Sequence, residues 1–140
     1  GMSAGAFMAN RLACDRADLV SAVAPVAGTL GSGVGCAPSR PVSVLEIHGT
    51  ADSVVPFGGG PMVGRGGASE IISAPAMAER WRQADGCGPF VEQAAYGDVQ
   101  QAVAAGCAAG TQVVLTRVNG GGHTWLADAS QASGQFFASR

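Results

Sequence analysis

A Gly-x-Ser-x-Gly pattern at residues 1–5, centred on Ser3, constrains the fold of this chain more than any other feature. The pattern is typical of a sharp turn that joins a strand to a helix and projects the serine hydroxyl from the edge of a sheet. Its glycines allow neighbouring backbone to approach without a Cβ clash. Apolar residues at helical spacing predict a helix over residues 6–14, directly after the turn. The alternative is an ordinary glycine-rich helix start.

Composition limits the classes of function that the chain can have. Its 140 residues suffice for one domain, and 47% of them are hydrophobic, which is enough to build a core. Only 13% are charged and the net charge is −2. Phosphate binding needs clustered Lys and Arg, so this balance excludes nucleic-acid binding through a basic patch. There is no run of about 18 apolar residues, so no membrane-spanning segment is predicted.

Four cysteines, Cys14, Cys36, Cys87 and Cys107, allow three disulfide pairings. None of them forms a Cys-x-x-Cys pair and the chain has two histidines, so no metal site is predicted. We favour the sequence-local pairing Cys14–Cys36 and Cys87–Cys107, in which each bond closes a loop of about 20 residues and contributes about 3 kcal/mol. Disulfides would indicate a secreted or periplasmic protein. The alternative is four buried thiols in a cytosolic protein.

The apolar patterns alternate between strand and helix along the chain. They predict strands at residues 20–26, 42–47 and 113–118, and helices at residues 6–14, 74–84 and 133–139. Residues 57–67 are predicted as a long glycine-rich loop, and residues 88–110 are ambiguous. This alternation predicts a single α/β domain over residues 1–140, with a mostly parallel sheet and crossover helices.

Asp52 follows the predicted strand 42–47 directly, in the stretch His48-Gly49-Thr50-Ala51-Asp52. In open α/β sheets, functional groups collect at this end of the strands. A carboxylate there can hold an imidazole in one tautomer, so Asp52 is the candidate acid. The alternative is a turn residue that caps its own backbone. His48 lies on the same loop as Asp52, and we expect it to bond to loop backbone rather than to act as a base.

His123 follows the last predicted strand, after three glycines at residues 120–122. The glycines give the loop freedom to place the imidazole between Ser3 and Asp52, so His123 is the candidate base. A plain surface histidine is the alternative. Trp125 beyond it, and Met2 beside the serine, are the candidate residues of the substrate pocket; a plain core tryptophan is the other interpretation of Trp125.

The three candidate residues occur in the order Ser3, Asp52, His123, which is the chain order of α/β-hydrolases. Each of them also lies directly beside a predicted element of the sheet. Chance placement of all three is improbable. The order therefore favours an α/β-hydrolase with a nucleophilic serine.

Four segments together resemble the secreted polyhydroxybutyrate depolymerases and the related feruloyl and acetylxylan esterases: GMSAGAFMA at 1–9, AVAPVAG at 22–28, RPVSVLEIHGTAD at 40–52 and GGHTW at 121–125. The resemblance extends to AERW at 78–81 with Gly86-Cys87 after it, and so covers most of the chain. Family members usually have Pro-Gly where Leu126-Ala127 stand here.

The resemblance implies a role for each candidate residue. Ser3 is the nucleophile, Asp52 the acid and His123 the base of an ester hydrolase that acts on polyester or plant cell-wall polysaccharide esters. The Ala4 N–H is one of two oxyanion donors. No metal or organic cofactor is implied.

The resemblance also implies that the chain is the C-terminal part of an α/β-hydrolase domain. Family members carry further strands before the serine turn, together with the loop that supplies the second oxyanion donor. Loss of one such donor typically costs a factor of about 10²–10³ in rate, so we expect little ester hydrolysis from the chain alone. Two alternatives stay open: a non-catalytic hydrolase-like binding module, and a serine peptidase of the same fold.

Overall fold

A computed structural model describes residues 1–64, 66–126 and 129–140 of the chain. The strands in this part are β1 (Ala22–Val23), β2 (Ser43–Gly49), β3 (Gly60–Gly64), β4 (Gly67–Ile71), β5 (Phe90–Glu92), β6 (Val99–Ala104) and β7 (Val113–Val118). The helices are α1 (Ala4–Asp15), α2 (Ala74–Ala84) and α3 (Ala129–Ala138), and a short 3₁₀ turn occupies Ala108–Gly110. No helix in the described ranges is long and apolar enough to cross a membrane.

The main sheet of the described residues is mixed, with strand order β1-β2-β7-β6-β5. β1, β2 and β7 run parallel, whereas β6 pairs antiparallel with both β7 and β5. The α/β fold is confirmed in this form, but the sheet is not mostly parallel as we expected. The difference arises in the ambiguous residues 88–110, which form the antiparallel strands β5 and β6.

The parallel half of the sheet positions the serine turn. Met2 forms a parallel bridge to Val26, and Val26 forms another to Ile47 of β2. The strand predicted at residues 20–26 is continuous only over β1, because Pro25 has no N–H to donate to a ladder. Helix α1 therefore crosses over between two parallel strand positions, at Met2 and at β1.

The predictions for the helices agree with the structure to different degrees. α2 has the bounds that the sequence predicts, and the Ser73 hydroxyl caps it by accepting a bond from the Ala76 N–H at 3.0 Å. α1 begins two residues earlier than predicted, and α3 begins at Ala129 rather than at residue 133. Of the two neighbouring phenylalanines in α3, Phe136 is buried and Phe137 is 46% exposed.

Alternate residues of β2 enter two different hydrophobic clusters. Val44 packs with Trp81 and other residues on the face covered by α1 and α2. Leu45 and Ile47 pack with Phe136 of α3 on the opposite face. Every residue of β2 is buried, as expected for a strand covered on both sides.

Two disulfides, Cys14–Cys36 and Cys87–Cys107, confirm the sequence-local pairing. The first ties the end of α1 to the long connection between β1 and β2. The second ties the chain just after α2 to the chain just after β6. Both lie beside the α1/α2 cluster, where all four cysteines contact its residues.

The predicted loop at residues 57–67 is wrong in its second half, where the chain enters a β-hairpin. β3 and β4 pair antiparallel from Gly60 opposite Ile71 to Gly64 opposite Gly67. Most residues of the hairpin are exposed, so the sequence lacks the alternation of apolar and polar residues that marks a half-buried strand.

Candidate active site

Ser3 occupies a strained turn between the Met2 bridge and α1. Its φ of 54° and ψ of −116° lie in a region that residues with a side chain rarely adopt. The turn is held by its own backbone, since the Ser3 N–H donates to the Val26 carbonyl at 2.9 Å and the Ser3 carbonyl accepts from the Ala6 and Phe7 N–H groups. The side chain of Ser3 is partly exposed at the sheet edge.

Close backbone contacts around this turn explain two glycines. A Cβ on Gly1 would lie 2.7 Å from the Gly5 carbonyl carbon, and a Cβ on Gly28 would lie 2.7 Å from the Ala6 Cβ. Gly5 has open space around it among the described residues, so contact does not require a glycine there. The close approach expected of the Gly-x-Ser-x-Gly pattern thus applies to Gly1, with Gly28 as a partner that sequence analysis missed.

The two carboxylate oxygens of Asp52 have different partners. Oδ1 accepts the N–H groups of Val54 and Val55 at 2.9 and 2.8 Å, and Oδ2 faces His123. Asp52 therefore caps its own turn and also faces the imidazole, so both interpretations of this residue describe its contacts. Burial opposes ionisation of this side chain, but the bonds from His123, Val55 and Val54 outweigh it and lower the pKa of Asp52. Asp52 is a carboxylate at neutral pH.

His123 lies between Asp52 and Ser3. Its Nδ1 is 2.9 Å from Asp52 Oδ2 and its Nε2 is 3.0 Å from Ser3 Oγ. A carboxylate can only accept, so Nδ1 carries the proton and Nε2 presents a lone pair to the serine hydroxyl. An imidazole in this tautomer can take the hydroxyl proton when the oxygen attacks an electrophile.

The Asp52 and His123 loops are joined at Gly49 and Gly121. A Cβ on Gly49 would lie 2.2 Å from the Gly121 carbonyl oxygen, a distance that no side chain tolerates. The Gly121 carbonyl accepts the Ala51 N–H at 2.9 Å, and the Gly120 N–H donates to the Thr50 hydroxyl at 2.9 Å. These contacts fix the distance between the carboxylate and the imidazole.

The second histidine, His48, contacts the loop that carries Asp52. Its side chain is fully buried, and its Nε2 donates to the Val55 carbonyl at 2.8 Å. The same nitrogen lies 3.4 Å from Asp52 Oδ2. Burial lowers the pKa of His48, so this imidazole is neutral. The bond to loop backbone is the one we expected for this residue.

A cavity of about 570 Å³ opens beside Ser3, lined by Ser3, Ala4, Phe7, Val54, Met62, Val63 and Gly64. Among the described residues, neither Met2 nor Trp125 lines it, so the structure does not support the pocket prediction for these two. Met2 packs against the cluster on the α3 face, and Trp125 donates from its indole nitrogen to the Ser130 hydroxyl. Phe7, Val54 and Met62 line this cavity, and sequence analysis did not single them out.

The Ala4 N–H, which the family resemblance implies is an oxyanion donor, is the first backbone donor of α1 and borders the same cavity. Within the described residues it donates no backbone hydrogen bond, as expected in the first turn of a helix. A free N–H there can stabilise negative charge that develops on an oxygen beside Ser3. In the described ranges, no cluster of His, Cys, Asp or Glu is arranged to hold a metal ion.

The sheet has helices on both faces, and the hydrogen-bonded row of Ser3, His123 and Asp52 lies at its edge. Comparison with known proteins points to esterases, although no protein-family model matches the chain. It is 34% identical to Feruloyl esterase B of Piromyces equi over 128 residues, which cover 88% of this chain and 24% of that protein. It is also 34% identical over 144 residues to the protein named "Putative esterase NocK" of Nocardia uniformis subsp. tsuyamanensis.

The second alignment covers 89% of this chain and 41% of that protein. The chain therefore spans about a quarter and about two fifths of the lengths of these two relatives. The similarity relates the chain to esterases and leaves the activity, substrate and partners of the whole protein to be proposed.

Proposed function

We propose that this protein hydrolyses carboxylic esters, at a low rate from these 140 residues alone, with Ser3 as nucleophile, His123 as general base and Asp52 as the acid that orients it. The observation that carries the proposal is the unbroken row from Ser3 Oγ through His123 to Asp52, with distances of 3.0 and 2.9 Å. The strained turn at Ser3 and the similarity to two proteins named esterases support it.

The reaction follows from the tautomer of His123. Nε2 takes the proton of the Ser3 hydroxyl as the serine oxygen attacks the ester carbonyl carbon, and the Ala4 N–H donates to the resulting oxyanion. The tetrahedral intermediate collapses, and the alcohol leaves with the proton from Nε2. Water, deprotonated by the same nitrogen, then attacks the acyl-enzyme and releases the acid and free Ser3. Asp52 stabilises the imidazolium that forms in both halves.

For the substrate, we propose polyhydroxyalkanoate, or polysaccharides esterified with feruloyl or acetyl groups. The sequence motifs support this class, as does the printed name of the feruloyl esterase relative. The cavity beside Ser3 is lined mainly by apolar side chains, including Phe7, Val54 and Met62, which suits an apolar acyl or alcohol group. The two disulfides support a secreted or periplasmic location.

Covalent labelling with a fluorophosphonate tests the nucleophile directly. We expect one label per chain, at Ser3, with no label on Ser3→Ala. Ser32→Ala removes another exposed serine and is the matched control, which should label like the unmodified protein. A folded protein that takes no label, or takes it elsewhere, would refute the proposal. Initial rates on acetyl, feruloyl and hydroxybutyryl esters would then rank the substrate classes.

A further inference from the structure

A second cavity lies on the face of the sheet that α3 covers. Its volume is about 500 Å³, within the range that small ligands occupy in proteins. The buried residues that line it are apolar, and they come from β2, β7 and α3: Leu45, Val114 and Phe136. The described residues that line it do not include Ser3, Asp52 or His123. The proposed ester hydrolysis therefore makes no use of this cavity.

The cavity lies toward the opposite end of the strands from the candidate active site. Leu45 belongs to the first half of β2, and Gln112 directly precedes β7. Asp52 and His123 instead follow the carboxyl ends of these two strands. A strand rises about 3.3 Å per residue, so Leu45 is roughly 13 Å from the end of β2 at Gly49. A ligand in this cavity is therefore held apart from the reacting groups.

The more exposed lining residues of this cavity are mainly polar and uncharged. They include four glutamines and one serine: Gln93, Gln101, Gln112, Gln135 and Ser139. No charged side chain is among the described residues that line the cavity; Arg140 donates to the Ser139 hydroxyl at 3.2 Å but does not itself line it. A charged ligand would lose water here without gaining a counter-charge. The lining therefore favours a ligand that is neutral and rich in hydrogen-bonding groups.

The glutamine amides have hydrogen-bonding capacity that the fold does not use. Gln101 donates from Nε2 to the Thr116 hydroxyl at 2.9 Å, and its Oε1 has no partner within the described ranges. In the same part of the chain, Gln112 and Gln135 form hydrogen bonds through their backbone groups and not through their side chains. An amide combines donors with an acceptor, as a hydroxyl group does. These side chains can therefore bond to hydroxyl groups in either direction.

Tyr96 places an aromatic side chain at this cavity, and the residue is 60% exposed. A tight turn holds its backbone, since Tyr96 N–H donates to the Val99 carbonyl at 3.1 Å and Val99 N–H donates to the Tyr96 carbonyl at 3.0 Å. Gly97 within this turn has a φ of 56°, in the left-handed region that favours glycine. The negative face of an aromatic ring attracts the polarised C–H groups on one side of a pyranose ring. An exposed tyrosine on a fixed turn is thus suited to stacking against a sugar.

We propose that this cavity is a carbohydrate-binding site for a segment of a neutral pyranose chain. One sugar ring stacks on Tyr96, and sugar hydroxyl groups exchange hydrogen bonds with the amides of Gln101 and Gln135. The buried apolar residues of the lining pack against the C–H groups of the sugars. This binding does not depend on ester hydrolysis. Where the proposed hydrolysis also takes place, a polysaccharide held here presents its ester groups to Ser3 at a raised local concentration.

NMR titration of the ¹⁵N-labelled chain tests the site directly. The probes are xylohexaose and cellohexaose, which are neutral and contain no ester bond. We expect at least one of them to cause saturable shift changes in the backbone amides of residues 93–103, 112–116 and 132–139, and none around Ser3. Trigalacturonate, which is negatively charged, should bind at least about tenfold more weakly. The same is expected of a hydroxybutyrate trimer, titrated into Ser3→Ala so that it stays intact.

Substitutions at exposed positions test the two kinds of contact, with the dissociation constant measured by titration calorimetry. Tyr96→Ala should weaken binding about tenfold through loss of the stacking surface. Its matched control is Phe137→Ala, because Phe137 is also exposed but lies outside the described lining. Gln135→Met should weaken binding roughly three- to tenfold through loss of the amide. Its matched control is Gln131→Met, on an exposed glutamine of the same helix that lies outside the described lining.

Several outcomes would overturn the inference. One is the absence of saturable shift changes with both hexaoses, and another is a set of changes centred on Ser3; neither result needs a variant. Unchanged affinity in Tyr96→Ala would also do so, and Gln135→Met decides if Tyr96→Ala does not fold. Tighter binding of trigalacturonate or of the hydroxybutyrate trimer would assign the cavity to another class of ligand. A protein that resists the fluorophosphonate label but binds a hexaose would lose the proposed hydrolysis and keep this site.

Discussion

Asp52 and His123 meet through one carboxylate oxygen, Oδ2, at 2.9 Å from Nδ1, while Oδ1 of Asp52 is bound by its own turn. The bonds to Oδ1 hold the carboxylate in one orientation, in which Oδ2 faces the His123 imidazole. This division of the carboxylate explains how a loop residue can hold the imidazole in the orientation that the proposed proton transfer needs.

We expect Asp52→Asn to lower kcat by about 10⁴, because an amide nitrogen facing Nδ1 favours the tautomer that puts a proton on Nε2, where the serine proton must go. KM should change little, since Asp52 does not line the cavity. Steady-state kinetics on a chromogenic ester would measure both. Asp98→Asn removes the carboxylate of an exposed residue and should leave both values unchanged. A kcat for Asp52→Asn within tenfold of the unmodified protein would contradict this role.

Gly49→Ala should separate the two loops that hold Asp52 and His123. The added Cβ would meet the Gly121 carbonyl oxygen at 2.2 Å, so the backbone must move. We expect a loss of about 1–3 kcal/mol in the free energy of unfolding and a fall in kcat of at least tenfold. Chemical denaturation and ester kinetics would measure these effects.

The matched control for Gly49 is Gly58→Ala, because no described atom lies within 4 Å of a Cβ at Gly58. Its unfolding free energy should stay within about 0.5 kcal/mol of the unmodified protein, and its kcat should not change. Equal effects of the two substitutions would show that the Gly49–Gly121 contact does not set the distance between the carboxylate and the imidazole.

Local sequence pattern indicated the residues of the row but not the backbone contact that joins the Asp52 and His123 loops. Ser3, Asp52 and His123 each follow a strand position within a short motif, and such motifs report local geometry. The contact of Gly49 with Gly121 joins residues far apart in the chain, and no short pattern encodes it. The strand β2 was likewise predictable from its apolar run, whereas the burial of Glu46 within it depends on what covers that face.

The lining of the cavity beside Ser3 differs from the predicted pocket residues for a physical reason. Met2 is adjacent to Ser3 in sequence, but the chain turns sharply at Ser3, and Met2 packs in the core. Met62 reaches the cavity from a hairpin that the sequence predicts only as glycine-rich loop. Both differences arise because proximity in the chain is a poor guide to which side chains share a cavity.

Met62→Ala should change the substrate preference of the proposed esterase. The substitution removes apolar surface from the cavity beside Ser3, so esters with a bulky apolar group should lose about tenfold in kcat/KM. Acetyl esters, which do not fill the cavity, should change by less than twofold. Val91→Ala truncates an exposed apolar residue on β5 and should alter neither. A uniform loss on all esters would indicate that Met62 supports the hairpin rather than contacting substrate.

Asp85 makes the stability of the fold depend on pH. It is buried, its Oδ1 accepts the Val42 N–H at 3.1 Å, and its Oδ2 has no partner among the described residues. Burial raises the pKa of this carboxyl from 3.8 to about 6. A raised carboxyl pKa means that the folded state binds the proton more tightly. The stabilisation of the fold that comes from proton binding at Asp85 is therefore complete below pH 3.8 and is lost as the pH rises through about 6.

We expect Asp85→Asn to remove this dependence, because an amide keeps the acceptor for Val42 and never ionises. The free energy of unfolding of the unmodified protein, relative to the variant, should fall by about 2 kcal/mol between pH 4 and pH 7.5. Denaturation curves of both proteins at a series of pH values would measure the difference, in which contributions from Glu46 and other titrating groups cancel. If the difference in the free energy of unfolding between the two proteins stays constant across that pH range, Asp85 titrates alike in the folded and unfolded states.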